Sequence, residues 1–280
     1  MTRSLRRLGA TVFGLLLAGL GLGPMGAALA APDFASVKPT PRVEHWQHRL
    51  ADIDAALRDR ASLAAVKLVF VGDSITDFWL FDANPWGQGR YGRKVWDGAF
   101  GATQTANRAL NLGISGDRSE HVLHRLRPRA AGGLGQLDAP ELQPEFFIVL
   151  IGINNSWAAE EPVADSIFEG VRAVLMALHE RKPRARIVLQ SLLPTNEAAR
   201  NAEVVHPVNR RLARLAASPE WAGFTSWLDL HAAFVDTSGR QIGRYFTDGL
   251  HPNDAGYAVW RNRLLPFLAQ QRAAAAAPAR

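Results

Sequence analysis

Ser74, Asp248 and His251 are the residue types that acyl transfer to a hydroxyl requires, and their settings in the sequence favour that use. A serine hydroxyl is a weak nucleophile until an imidazole takes its proton, and a carboxylate holds that imidazole in the right tautomer. Asp248-Gly249-Leu250-His251-Pro252 supplies the carboxylate and the imidazole three residues apart. Gly72-Asp73-Ser74-Ile75-Thr76 follows the apolar run Val66–Val71, so Ser74 falls at a strand-to-helix turn. The hydroxyl is exposed at such a turn, and the helix N-terminus behind it favours developing negative charge. Two further motifs, Asn111-Leu112-Gly113-Ile114-Ser115-Gly116-Asp117 and Gly152-Ile153-Asn154-Asn155, also follow apolar runs. A tetrahedral oxyanion needs donors, and the N–H groups of Ser74 and Gly113 and the amide of Asn154 are suitable types. Each motif alone is equally ordinary turn or capping chemistry. The combination supplies nucleophile, base, orienting acid and oxyanion donors together.

The elements that must position these groups are legible as apolar runs. Val66–Val71, Arg108–Leu112, Phe146–Ile151, Arg186–Leu192 and Trp227–Leu230 read as strands, rich in apolar and β-branched residues. Helical stretches are expected at Arg42–Arg60, Ser119–Leu126, Ala164–Glu180, Val204–Ala217 and Asp254–Gln271. Strands alternating with helices predict a parallel sheet covered on both faces, with functional groups beyond the carboxyl ends of its strands. The stretch Leu80–Gln104, rich in glycine and aromatics, is long for a connection and reads as a functional loop.

Four segments are expected: a signal peptide over 1–30, a flexible leader over 31–41, a catalytic domain over 42–272 and a disordered tail over 273–280. Arg3, Arg6 and Arg7 precede an apolar run from Ala10, and Ala28-Leu29-Ala30 provides a small-x-small cleavage pattern. The apolar run is short of the ~20 residues of a spanning helix, so no stable membrane span is expected once the signal is removed. An exported, periplasmic or secreted protein follows. The formal charge of +6 falls to about +3 without the three leader arginines, and no basic run remains to favour nucleic acid. The absence of cysteine excludes a disulfide framework, a thiolate nucleophile and a cysteine zinc site.

The Ser, Gly, Asn and His blocks at Ser74, Gly113, Asn154 and His251, with Asp248 before the histidine, resemble those of the SGNH, or GDSL-type, hydrolases. Order and separation agree across Val66 to Leu264, and the middle blocks look most like the platelet-activating-factor acetylhydrolase catalytic-subunit branch. Asn155 stands where many members of the wider family carry aspartate, a variation that branch shares. The resemblance implies an α/β fold, a three-layer α/β/α sandwich on a flavodoxin-like five-stranded parallel sheet, with no metal and no cofactor. The Gly-x-Ser-x-Gly elbow of other hydrolases is absent, because Asp117 follows Gly113-Ile114-Ser115-Gly116 where a glycine would be needed.

The expected activity is hydrolysis of short-chain, above all acetyl, esters of small molecules or polysaccharides through an acyl-enzyme. The alternatives are a lipid or thioester acyl hydrolase, a non-catalytic carbohydrate-binding protein on the same fold, and a metal-dependent hydrolase. Asp73, Trp79 and Asn155 are candidate substrate-binding residues. Phe78, Trp79, Phe81, Trp86, Tyr91 and Trp96 form an aromatic cluster that either lines an acyl or sugar pocket or packs in the core. Metal binding by His121, His124 and Glu120, or by Glu44, His45 and His48, is the weaker reading of those clusters. Arg118 and Arg125 are read as solvated helix arginines before they are read as anion ligands.

Overall fold

The computed structural model describes residues 33–42, 46–83, 90–158 and 160–276. The expected signal, Glu44, His45, Trp86 and the last four residues of the tail lie outside the described residues. Helices α1 (Trp46–Arg58) and α2 (Arg60–Ala64) lead into β1 (Leu68–Gly72), followed by α3 (Ser74–Asp77) and α4 (Arg93–Ala99). There follow β2 (Ala109–Asn111), α5 (Ser119–Leu126), β3 (Phe146–Leu150), α6 (Val163–Arg181) and β4 (Arg186–Gln190). The chain ends with α7 (Ala198–Arg200), α8 (His206–Ala217), α9 (Pro219–Ala222), β5 (Thr225–Leu228) and α10 (Asp254–Ala276).

The five strands form one parallel sheet in the order β2-β1-β3-β4-β5, the flavodoxin-like arrangement. β1 and β3 are buried along their whole length, which is why they read as unbroken apolar runs rather than alternating ones. The chain steps outward from β1 to β2, then back past β1 to β3 and on to β5. Right-handed crossovers therefore put α4 on one face and α5, α6 and α8 on the other, and α10, which follows the last strand, joins α4. The contacts agree: α4 packs with α10, and α6 with both α5 and α8. The reversal of winding opens a crevice at the carboxyl ends of β1 and β3, the place where this sheet type binds ligands.

Three boundary expectations need correction. Residues 33–41 are part of the fold rather than a flexible leader. Phe34 and Ser36 are buried, and Ser36 Oγ donates to the Ser166 carbonyl (2.7 Å) while its own carbonyl accepts from Ser119 Oγ (2.9 Å). Thr40 N–H donates to the Glu120 carbonyl at 3.0 Å, so the strap is sewn across α5 and α6. α10 runs on to Ala276, because alanine is the best helix former and the Ala-rich start of the tail simply prolongs it. The stretch Leu80–Gln104 contains α4, whose Trp96 and Ala99 are buried.

Candidate active site

β1 ends at Gly72, and the glycine is obligatory: a Cβ there would lie 2.1 Å from Thr76 Oγ1 and 2.4 Å from the Leu150 carbonyl. That close approach lets the chain turn at once into α3, with Asp73 as its N-cap accepting from Ile75 N–H at 3.0 Å. Ser74 is the first residue of that helix. From the far end of the chain, Gly249 (φ +82°) makes a tight turn that returns His251 towards it. The imidazole Nε2 lies 2.9 Å from Ser74 Oγ, and Nδ1 lies 2.7 Å from Asp248 Oδ2. Asp248 Oδ1 accepts the N–H groups of Leu250 (3.0 Å) and His251 (2.8 Å). The structure thus brings Ser74, His251 and Asp248 into one hydrogen-bonded line.

Electrostatics fix the protons along that line. Partial burial pushes the Asp248 carboxyl up, but the His251 ring bond, the two backbone bonds and the imidazole charge together hold it at about 2. An ionised Asp248 can only accept, so Nδ1 carries a proton, and in the neutral imidazole this leaves the Nε2 lone pair facing the serine hydroxyl. Phe78 packs against the ring at 4.9 Å between centroids and restricts its swing. Tyr257 on α10 donates its hydroxyl hydrogen to the Ile75 carbonyl (2.8 Å), tying the last helix to the turn that carries the serine.

Of the three expected oxyanion donors, one is already engaged. Gly113 is not a free donor: its N–H is given to Asn111 Oδ1 at 2.8 Å. Its lack of a side chain serves packing instead, since a Cβ would lie 2.5 Å from Asp77 N. No acceptor among the described residues takes the N–H of Ser74 or of Gly116. Gly116 (φ +78°) sits three residues further along the same loop, between Ser115, whose N–H donates to Asp77 Oδ2 (3.1 Å), and Asp117. Its peptide unit is braced from behind by Arg42 Nη1, which donates to the Ser115 carbonyl at 2.7 Å and to Asp117 Oδ1 at 3.2 Å. Asn154 donates one amide hydrogen to the Asp117 carbonyl (2.8 Å), which orients the group and leaves its second hydrogen for a ligand. Gly116 was legible in the sequence only as a glycine before an aspartate; backbone bookkeeping distinguishes it from Gly113.

The three expected substrate-binding residues are corrected together. Trp79 is fully buried among Phe70, Trp96, Phe100, Tyr257 and Trp260, so it builds core between β1 and α10. Asn155 is buried, accepting from Ser119 N–H (3.0 Å) and donating to Glu120 Oε2 (2.8 Å), which locks the β3 turn onto α5. Asp73 is wholly buried beneath the serine. Phe78, Tyr91 and Trp96 are likewise buried.

Arg125 is no solvated arginine. It is buried with Asp117 (Nη2 to Oδ2 2.8 Å), Gln136 and the Leu112 carbonyl, and so anchors the loop from Leu112 to Asp117 from within. His121 and His124 flank Trp46, with His121 Nδ1 accepting the Arg118 N–H at 3.0 Å. Among the described residues no group of three or more acidic or histidine side chains is placed to hold a metal.

Asp73 carries its own prediction. Its Oδ2 has no partner, and burial, only partly offset by the Ile75 N–H, raises the carboxyl to about 7. Between the ordinary carboxylate pKa and that value, the native protein holds a proton the unfolded chain has released. Stability contributed by this group is therefore lost as pH rises from about 4 to about 7. Asp73→Asn keeps the cap oxygen without the charge. Its Tm relative to the parent should rise between pH 5 and pH 8; an equal difference at both would mean the carboxyl does not titrate there.

Residues 70–259 match the GDSL-like lipase/acylhydrolase family. The platelet-activating factor acetylhydrolase IB subunit alpha1 of Bos taurus is 28% identical over 221 residues, covering 76% of this chain and 81% of that protein. The alpha2 subunit of Rattus norvegicus is 31% identical over 155 residues, 54% of this chain and 59% of that protein. Among solved structures, a GDSL-like lipase from Bacteroides thetaiotaomicron superposes with a TM-score of 0.54 at 19% identity, covering 79% and 98% of the two chains. A member of the lipolytic G-D-S-L family from Veillonella parvula gives 0.52 at 16% identity, covering 73% and 99%. At such identities these two speak for the fold alone.

Proposed function

The chain belongs to the GDSL-like lipase/acylhydrolase family, and from that premise we propose that it is an exported serine esterase removing short acyl groups, acetyl first, from carbohydrate alcohols. The observation that carries the reading is the line Ser74–His251–Asp248, closed between groups 177 positions apart. His251 Nε2 takes the proton of Ser74 as Oγ attacks the ester carbonyl. The oxyanion so formed is held by the N–H groups of Ser74 and Gly116 and by the free amide hydrogen of Asn154. Collapse expels the alcohol, which receives its proton from the imidazolium, and leaves an acyl-serine. Water then repeats the sequence: His251 deprotonates it, the acid departs, and Ser74 regains its hydrogen. Asp248 stays ionised throughout and stabilises the imidazolium.

Support for acetyl comes from the relatives named as acetylhydrolases. Export rests on the leader pattern of residues 1–30; among the described residues no helix is long and apolar enough to cross a membrane. The same relatives favour a second reading, an acetylated lipid as substrate. A panel of acetyl, butyryl and decanoyl nitrophenyl esters, an acetylated xylan oligosaccharide and an acetyl glycerophospholipid separates the two. We expect kcat/KM to fall at least tenfold from acetyl to decanoyl and the oligosaccharide to be cleaved faster than the phospholipid. The opposite ranking would give the lipid reading.

A further inference from the structure

One prominent group has no part in that chemistry. Trp157 is 46% exposed, the most exposed large apolar side chain among the described residues. Folding alone does not call for it, because an apolar ring left in water contributes little burial. It ends the short 3₁₀ turn Ile153–Trp157 at the carboxyl end of β3, three residues beyond Asn154.

The ring is held stiffly. The Arg200 guanidinium covers it, Cζ lying 4.1 Å from the ring centroid. That guanidinium is itself fixed, with Nη1 donating to Ser156 Oγ (2.7 Å) and Nη2 to Glu197 Oε2 (3.1 Å). The segment carrying Arg200 is joined to the loop that bears the catalytic imidazole. Asn196 N–H donates to the Gly249 carbonyl (3.0 Å), and Gln241 Nε2 donates to the carbonyls of both Pro194 (2.7 Å) and Gly249 (2.8 Å). Trp157 is thus tied to the site from two sides: it closes the turn that carries Asn154, and the arginine over its face belongs to the segment bonded to the His251 loop. Directly after Arg200 the chain makes a π-helical turn, Asn201–Val205, a form that recurs at functional sites. Asn201 closes that turn on Thr195, accepting from its N–H (2.8 Å) and donating to its carbonyl (2.7 Å).

A rigid indole exposed beside a hydrolytic site binds a flat surface of weakly positive C–H groups, because its face is the negative part of the ring quadrupole. The ring hydrogens of a pyranoside present such a surface. An anion is disfavoured as the partner, since the guanidinium over the ring is already paired with Glu197. Because the ordering of ring and guanidinium is complete before binding, little entropy is lost when the sugar arrives. We propose that Trp157 is the platform on which the neutral sugar ring of the leaving alcohol lies, selecting acetylated polysaccharide over simple acetates. The inference rests on the serine-esterase reading and adds a substrate determinant to it.

The test compares Trp157→Ala and Trp157→Phe with the parent on an acetylated xylan oligosaccharide and on ethyl acetate, whose alcohol has no ring. The ratio of kcat/KM for oligosaccharide to that for ethyl acetate should fall about tenfold in Trp157→Ala, through KM rather than kcat. Trp157→Phe should restore most of it, since a phenyl face keeps the stacking surface. Equal losses on both esters would assign Trp157 a merely structural role and overturn the proposal. So would an unchanged ratio, or a selectivity loss seen on an acetyl glycerophospholipid and not on the sugar. Failure of the underlying esterase reading looks different: ethyl acetate would then be cleaved no faster by the parent than by Ser74→Ala.

Discussion

Ser74→Ala is expected to lower kcat by about a millionfold while leaving KM close to that of the parent, the scale on which a serine nucleophile acts. Among the described residues the hydroxyl makes no bond that alanine would break except the one to His251 Nε2. The side chain is buried at a helix start whose cap is Asp73, not the serine itself, so the variant should fold and melt as the parent does. His251→Ala should cost about as much, and the double variant little more, because nucleophile and base act as one unit. A burst of nitrophenol from nitrophenyl acetate, and labelling by a fluorophosphonate, should both vanish with the hydroxyl. If Ser74→Ala kept a hundredth of the parental rate, the nucleophile would have to be sought elsewhere.

Asn154→Ala should cost about a hundred- to a thousandfold in kcat, the range for removing one preorganised oxyanion donor. The amide is worth this much because the Asp117 carbonyl fixes it beforehand; no reorganisation is needed as charge develops. Asn154→Asp is nearly the same size, yet it places acceptors against both that carbonyl and the oxyanion. It should recover nothing relative to alanine. A rate that survives either change would mean that the N–H groups of Ser74 and Gly116 suffice alone.

Much of the sheet was legible because its middle strands are buried on both faces, so Leu68–Val71 and Phe146–Ile151 had to be continuous apolar runs. β5 was displaced by two residues, Thr225–Leu228 in place of Trp227–Leu230, because Leu230 is buried just beyond the ladder and carries the same apolar signal as a strand residue. The strap at 33–41 was missed for the converse reason. It forms no regular element beyond one short turn, and what holds it is long-range: Phe34 in the core and Ser36 between Ser119 and Ser166. The site divides in the same way. Ser74, Asn154 and His251 were recognisable because side-chain chemistry marks them. Gly113 and Gly116 differ only in where a backbone N–H points, and Trp79 and Trp157 only in which way a ring faces, which residue spacing does not record.

The hydroxyl and the imidazole are supplied by opposite ends of one chain, and the sheet's central crossovers lie between them. Contacts this remote in sequence close late, after the loop entropy of everything between has been lost. A polypeptide that stops short of His251 thus carries an inert serine. Regained hydrolysis during refolding would time the meeting of the Ser74 turn with the His251 loop, a chemical clock started only when both have found their places.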